Sequence, residues 1–170
     1  MSGDEGRLFV VMLGGRHPRG RTELHDVVFA FGRTLADTHA QLRTQWFGAA
    51  AGLHIDSWLE VDGVEGWQVR LLDQPAAVGE PKLFFVNLGG YEDGVFGEAH
   101  RYLLVVAQDA AEAKRKGLER AGAGWAKPHR DALFEVDDCL PVEAGGGRHL
   151  RLLRGPHAGI RQGSDYLVLN

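Results

Sequence analysis

The strongest constraint in this sequence is that it matches itself at a distance of 75 residues. Leu8-Phe9-Val10-Val11-Met12-Leu13-Gly14-Gly15 lies over Leu83-Phe84-Phe85-Val86-Asn87-Leu88-Gly89-Gly90. Glu23 and His25 lie over Glu98 and His100, and His54 and Asp56 over His129 and Asp131. Glu60-Val61-Asp62 lies over Glu135-Val136-Asp137. Across residues 8–64 the ungapped alignment gives 15 identities in 57 pairs, clustered rather than scattered. The period is too long for most solenoids, and two copies are too few for an array. The natural expectation is an internal duplication packed as one pseudo-two-fold body, by analogy with closed dimers.

Each half has the same outline. A short apolar run ends at a Gly-Gly pair and reads as a buried strand. A polar loop leads to a second run, Val27 to Phe31 or Tyr102 to Val106. Thr34 with Asp37, and Asp109 with Glu112, have the spacing of helix capping boxes. The first helix places Leu35, Thr38, Leu42 and Trp46 on one face, and the second offers Ala110, Ala113, Gly117 and Ala121. The smaller second face predicts closer backbone packing. Strands are expected at Leu53 to Val61 and Trp67 to Leu72, with partners at Ala132 to Val136 and His149 to Leu153. The predicted class is α+β, made of two ββαββ units. Their boundaries fall at 8–73 and 83–154, followed by a C-terminal loop and short strand over 155–170.

Composition narrows the function classes. Lys plus Arg is 19 against 23 for Asp plus Glu, a net charge of −4. That disfavours nucleic acid as a partner. Cys139 is the single cysteine, so neither an intrachain disulfide nor a thiolate zinc cluster can form. Two neighbouring acids disfavour its thiolate. No apolar run reaches the roughly 18 residues of a membrane span, and the first residues lack a signal-peptide pattern. The expected location is cytoplasmic, with no membrane partner.

The segments Met12-Leu13-Gly14-Gly15-Arg16, Glu23-Leu24-His25-Asp26-Val27-Val28-Phe29, Trp46-Phe47-Gly48 and Leu53-His54-Ile55-Asp56-Ser57 together resemble an uncharacterised bacterial family, domain of unknown function 1543. The resemblance covers most of the first half and, more weakly, the second. It implies a shared fold and no particular chemistry.

The acid–histidine pairs are the first candidates for chemistry. Residues two apart on a strand share a face, so Glu23 joins His25, and His54 joins Asp56. If the strands meet, four N/O donors converge. Such a set suits a divalent metal, namely zinc, iron or manganese. Glu98, His100, His129 and Asp131 offer the same in the second half. The plainer reading is a polar network in which each acid fixes a ring tautomer. The second candidate is the loop Gly14, Gly15, Arg16, His17, Arg19 and Arg21. Exposed backbone N–H groups there could form an anion-binding nest. The plainer reading is that the glycines supply unusual backbone angles. The second copy has Tyr91, Glu92 and Asp93 in that loop, so the halves cannot share a ligand. No Lys-Ser or Lys-Thr follows the glycines, which excludes a phosphate loop. A second basic stretch holds Arg148, Arg151, Arg154 and Arg161 with His149 and His157; its plainer reading is a solvated strand. Three functions stay open: binding of a small molecule or anion, a metal-dependent enzyme using the acid–histidine pairs, and an interaction protein forming a homodimer.

Overall fold

The computed structural model describes residues 6–124 and 135–170, with side chains at all of these but 122–124. Trp125, His129 and Asp131 therefore lie outside the described residues. The chain divides into two compact units, Met1–Pro75 with Glu143–Asn170, and Ala76–Val142. The fold is α+β.

The first unit opens with β1 (Arg7–Gly15) and β2 (Leu24–Gly32). A single 3-10 turn (Ala36–Thr38) leads into α1 (His39–Gln45). Then come β3 (His54–Val61), β4 (Gly63–Val64) and β5 (Trp67–Leu72). The second unit holds β6 (Lys82–Gly90), β7 (Ala99–Ala107), α2 (Ala110–Gly124) and β8 (Glu135–Pro141). The chain returns to the first unit for β9 (His149–Arg154), β10 (Ile160–Gly163) and β11 (Leu167–Val168).

In the first unit β1 lies between β2 and β3, all antiparallel, and both β10 and β11 pair with the outer side of β3. A second sheet runs β4-β5-β9. In the second unit β6 lies between β7 and β8, so β8 is an edge strand. Pro141 at its end suits that place, since a proline cannot donate to a further neighbour.

Odd-numbered residues of β1 face the main core. Phe9, Val11 and Leu13 pack there with Val28, Ala30, Leu42, Trp46, Leu53, Ile55 and Leu169. Removing each of the Phe, Val, Leu and Ile side chains from water stabilises the fold by about 1.5–3 kcal/mol. Thr34 and Asp37 make the reciprocal cap: the Thr34 N–H donates to Asp37 Oδ2 at 2.8 Å, and the Asp37 N–H donates to Thr34 Oγ1 at 3.4 Å. The backbone N–H of Thr34 thereby holds the Asp37 carboxyl below its ordinary pKa. At α2 the Glu112 N–H donates to Asp109 Oδ1 at 2.9 Å. Ala113, Gly117 and Ala121 are buried, and a Cβ at Gly117 would come within 3.0 Å of Val86. The glycine lets α2 settle closely on β6. No helix among the described residues is long and apolar enough to cross a membrane.

Three expectations are corrected. First, His149–Arg154 does not complete the second unit; it pairs with β5, Leu71 opposite Leu150. The second unit is therefore ββαβ, and the boundaries 83–154 and 155–170 give way to an insertion of 76–142 within the first unit. Second, the 75-residue offset holds through two strands and then slips. Leu13 and Leu88 are 75 apart, but their partners Ile55 and Val136 are 81 apart. The stretch that precedes the third strand is longer in the second unit. Glu135 therefore stands across from Gly89 as His54 stands across from Gly14, and Asp137 matches Asp56 rather than Asp62. Third, each Gly-Gly pair ends its strand, as expected, but neither has a positive φ. Both lie in the ladder, so no nest forms at Gly14-Gly15 and unusual backbone angles are not their role.

Candidate metal centre

Gly14 is the floor of the site. Across the ladder it pairs with His25 on β2 and His54 on β3, which places the two imidazoles on one face. A Cβ at Gly14 would collide with His54 Nε2 and lie 2.9 Å from Asp56 Oδ2. The neighbouring Gly15 serves the opposite face, where a Cβ would lie 2.8 Å from Trp46. Both glycines are thus required by close approach of side chains.

Asp56 arrives by a β-bulge. Met12 pairs with Ser57 and Leu13 with Ile55, which leaves Asp56 as the extra residue without a partner on β1. Bulges re-aim a side chain in this way. Glu23 arrives from the residue just before β2. His25 Nε2 lies 2.8 Å from Asp56 Oδ2 and 3.2 Å from Glu23 Oε1. The donor atoms of Glu23, His25 and Asp56 all lie within 4.8 Å of one another.

His54 meets the same two carboxylates from below, with Nε2 3.2 Å from Asp56 Oδ1 and 3.5 Å from Glu23 Oε1. Its ring is buried, at 1% exposure. Nδ1 lies 2.9 Å from the Gly52 carbonyl oxygen. A carbonyl can only accept, so Nδ1 carries the proton and Nε2 is the nitrogen turned to the carboxylates. Nε2 is buried and makes no hydrogen bond. A buried imidazole nitrogen and two carboxylates therefore converge, an arrangement that suits a cation. A carbonyl on the far nitrogen is also how proteins commonly orient a metal-binding histidine. Burial of His54 comes from the C-terminus: Val168 on β11 pairs with it, and the Tyr166 ring packs on its ring with centroids 4.3 Å apart.

The centre opens to solvent above His25 and Glu23, whose side chains are 47% and 40% exposed. The loop Arg16–Thr22 springs from this end of the hairpin. It is folded, not loose: the Gly20 N–H donates to the His17 carbonyl at 2.9 Å, and the Ala49 N–H to the Arg16 carbonyl at 2.7 Å.

The second unit holds a related cluster. Glu98, His100 and Asp137 bring donor atoms within 4.8 Å of one another. Asp137 is again a bulge residue, between Asn87 paired with Asp138 and Leu88 paired with Val136. A Cβ at Gly89 would collide with the Glu98 and Asp137 carboxylates. His100 Nδ1 lies 3.3 Å from Asp137 Oδ2 and 3.1 Å from Asn87 Oδ1. Glu135, exposed on the edge strand, stands where the first unit has His54. Position 81 residues after Asp56, not 75, is the signal that finds Asp137.

The other candidates are tied into structure. Arg148 donates to the Leu71 carbonyl, and Arg151 to the carbonyls of Gln74 and Pro75. The Arg154 guanidinium lies 3.8 Å above the Trp67 ring. Arg161 and Arg7 both pair with the buried Glu60. Burial pushes the Glu60 carboxyl up, but the two guanidiniums outweigh it and hold its pKa below the ordinary 4.5. Burial raises the Cys139 thiol, which disfavours its thiolate. A cavity of about 480 Å³ lies at the far end of β2, lined by Phe31, Gly32 and Arg148 among others, and contains none of the candidate donors.

Residues 20–71 match the family model of a Domain of Unknown Function, DUF1543. Glu23, His25, His54 and Asp56 all fall inside the DUF1543 match, while Gly14 precedes it. The chain is also similar to the crystal structure of a protein Il1583 from Idiomarina loihiensis. The two are 27% identical, with a TM-score of 0.72, over 97% of this chain and 99% of that one. No curated protein matches the sequence.

Proposed function

We propose that the DUF1543-matching unit is a metal-binding module that holds one divalent first-row ion through His25, His54, Asp56 and Glu23. The observation that carries this is the buried His54 Nε2, which has no hydrogen bond and faces two carboxylates. Two imidazoles and two carboxylates suit zinc, iron or manganese. They also carry two negative charges, which a divalent ion neutralises. Because the side above His25 and Glu23 faces water, the ion would keep a coordination position for a small-molecule ligand or an activated water. Among the readings left open by the sequence, this favours the metal-dependent one. The recurrence of the hairpin, the bulged aspartate and the helix supports descent of both units from one ββαβ motif. The second copy, with an exposed Glu135 in place of His54, is a structural echo rather than a second centre.

The test is metal analysis of protein purified without tag or chelator, then zinc titration of the metal-free protein. One zinc per chain is expected, lost in His54→Ala and His25→Ala. A folded chain that takes up no zinc, manganese or iron would make the cluster a structural network only.

A further inference from the structure

Among the described residues, the guanidiniums of Arg16, Arg19 and Arg21 have no ion pair and no hydrogen bond. That sets them apart from Arg7, Arg70 and Arg161, each of which pairs with a carboxylate. All three unpaired arginines sit between Gly15, beside the floor of the metal centre, and Glu23, one of its donors. No acid intervenes. The segment tied to this loop, Trp46-Phe47-Gly48-Ala49, is uncharged, and the His17 ring packs near Phe47 with centroids 6.3 Å apart. The C-terminal segment over His54 adds one acid, Asp165, beside Tyr166. With the carboxylates of Glu23 and Asp56 neutralised by the ion, positive charge remains in excess at the open side.

From this we infer that the small-molecule ligand of the site is an anion, bearing a carboxylate or phosphate, that ligates the metal with one oxygen and meets the arginine loop with the others. Guanidinium groups match both oxyanions with paired N–H donors. The inference rests on the metal reading of the same site. A nucleic-acid strand is the weaker occupant, since the chain is acidic overall, with a net charge of −4. The second unit serves as an internal control. Its equivalent loop runs Tyr91-Glu92-Asp93-Gly94-Val95-Phe96-Gly97, acidic and apolar, and would repel an anion.

The experiment uses the full chain loaded with cobalt(II), whose visible spectrum reports the ligands of the ion. It is titrated separately with inorganic phosphate and with acetate, which tells the two anion sources apart. A saturable spectral change is expected with at least one of them. In the combined variant Arg16→Ala, Arg19→Ala, Arg21→Ala the apparent Kd should rise about tenfold or more, while cobalt stays at one per chain. The Arg→Lys version should recover part of the loss. Cobalt uptake with an anion response that is absent, or equal in wild type and variant, overturns the inference and leaves the metal reading intact. A chain that takes up no cobalt overturns both.

Discussion

The two hairpin ends differ at few points, and those points give the first cluster a buried imidazole that the second lacks. Both have a glycine floor, Gly14 or Gly89, that only a missing side chain makes possible. Both have a bulged aspartate and a histidine two residues after a glutamate. What differs is the outer side of the third strand. In the first unit β3 is covered by β10 and β11, and residue 54 is a buried imidazole. In the second unit β8 is an edge, and residue 135 is an exposed carboxylate. The hairpin and bulge supply the geometry; the covering strand supplies the burial that leaves an imidazole nitrogen without water. The loops then differ in sign, basic in the first unit and acidic in the second.

The sharpest way to break this comparison is at adjacent glycines. Gly14→Ala drives a Cβ into His54 and should weaken zinc binding at least about 100-fold. Gly15→Ala presses on Trp46 on the other face and should leave zinc stoichiometry unchanged. It should instead lower stability by about 1–3 kcal/mol, measured by urea unfolding. Equal zinc loss in both would show that the centre depends on general packing. Next in size is Tyr166→Ala, which uncovers the His54 ring. Competition against a chelator should show about a tenfold loss of zinc affinity. No change would remove the C-terminal cover from the account. Third, Glu135→His gives the second unit the imidazole that it lacks but leaves it on an uncovered edge strand, so zinc per chain should stay at about one in equilibrium dialysis. A rise toward about two would mean that donor type, and not burial, is what the second cluster lacks.

The smallest effect concerns Glu60. Its register counterpart across from Phe84 is Pro141, so the second unit has no equivalent acid. The Glu60 carboxyl is held below its ordinary 4.5, so the folded state binds its proton more weakly than the unfolded state. Its contribution is complete above that ordinary value and is lost as pH falls through the lower folded value. Arg7 and Arg161 can be hydrated when their partner is gone, which limits the cost. Glu60→Gln should therefore lower stability by about 1–2 kcal/mol at neutral pH. The gap from wild type should close in acid-titrated thermal melts, and a gap that is constant with pH would contradict the charged pairing.

Local features were legible in the sequence. The capping pairs Thr34–Asp37 and Asp109–Glu112, the buried face of Thr38, Leu42 and Trp46, and the first two strands of each unit follow from neighbours within one or two turns. The acid–histidine spacing also placed Glu23 with His25, and His54 with Asp56, on one face. That the two pairs of the first unit meet was not legible, because it requires β1 to lie between β2 and β3. The bulge at Asp56 could not be seen either, since an extra residue in a strand has no mark in a period of two. The partner of His149–Arg154 is set by long-range pairing with Trp67–Leu72, which no local pattern encodes. The ungapped match at Glu60-Val61-Asp62 misled: a coincidence of three residues hid the slip that puts Asp137 in the place of Asp56.

The central claim is that burial of a His54 nitrogen that faces two carboxylates without a hydrogen bond makes the first cluster a metal centre and the second only its echo. Zinc stoichiometry by mass spectrometry on wild type, His54→Ala and His100→Ala, side by side, tests it most directly. The account predicts one zinc per chain in wild type and His100→Ala and none in His54→Ala. Zinc that is lost in His100→Ala and kept in His54→Ala would contradict it.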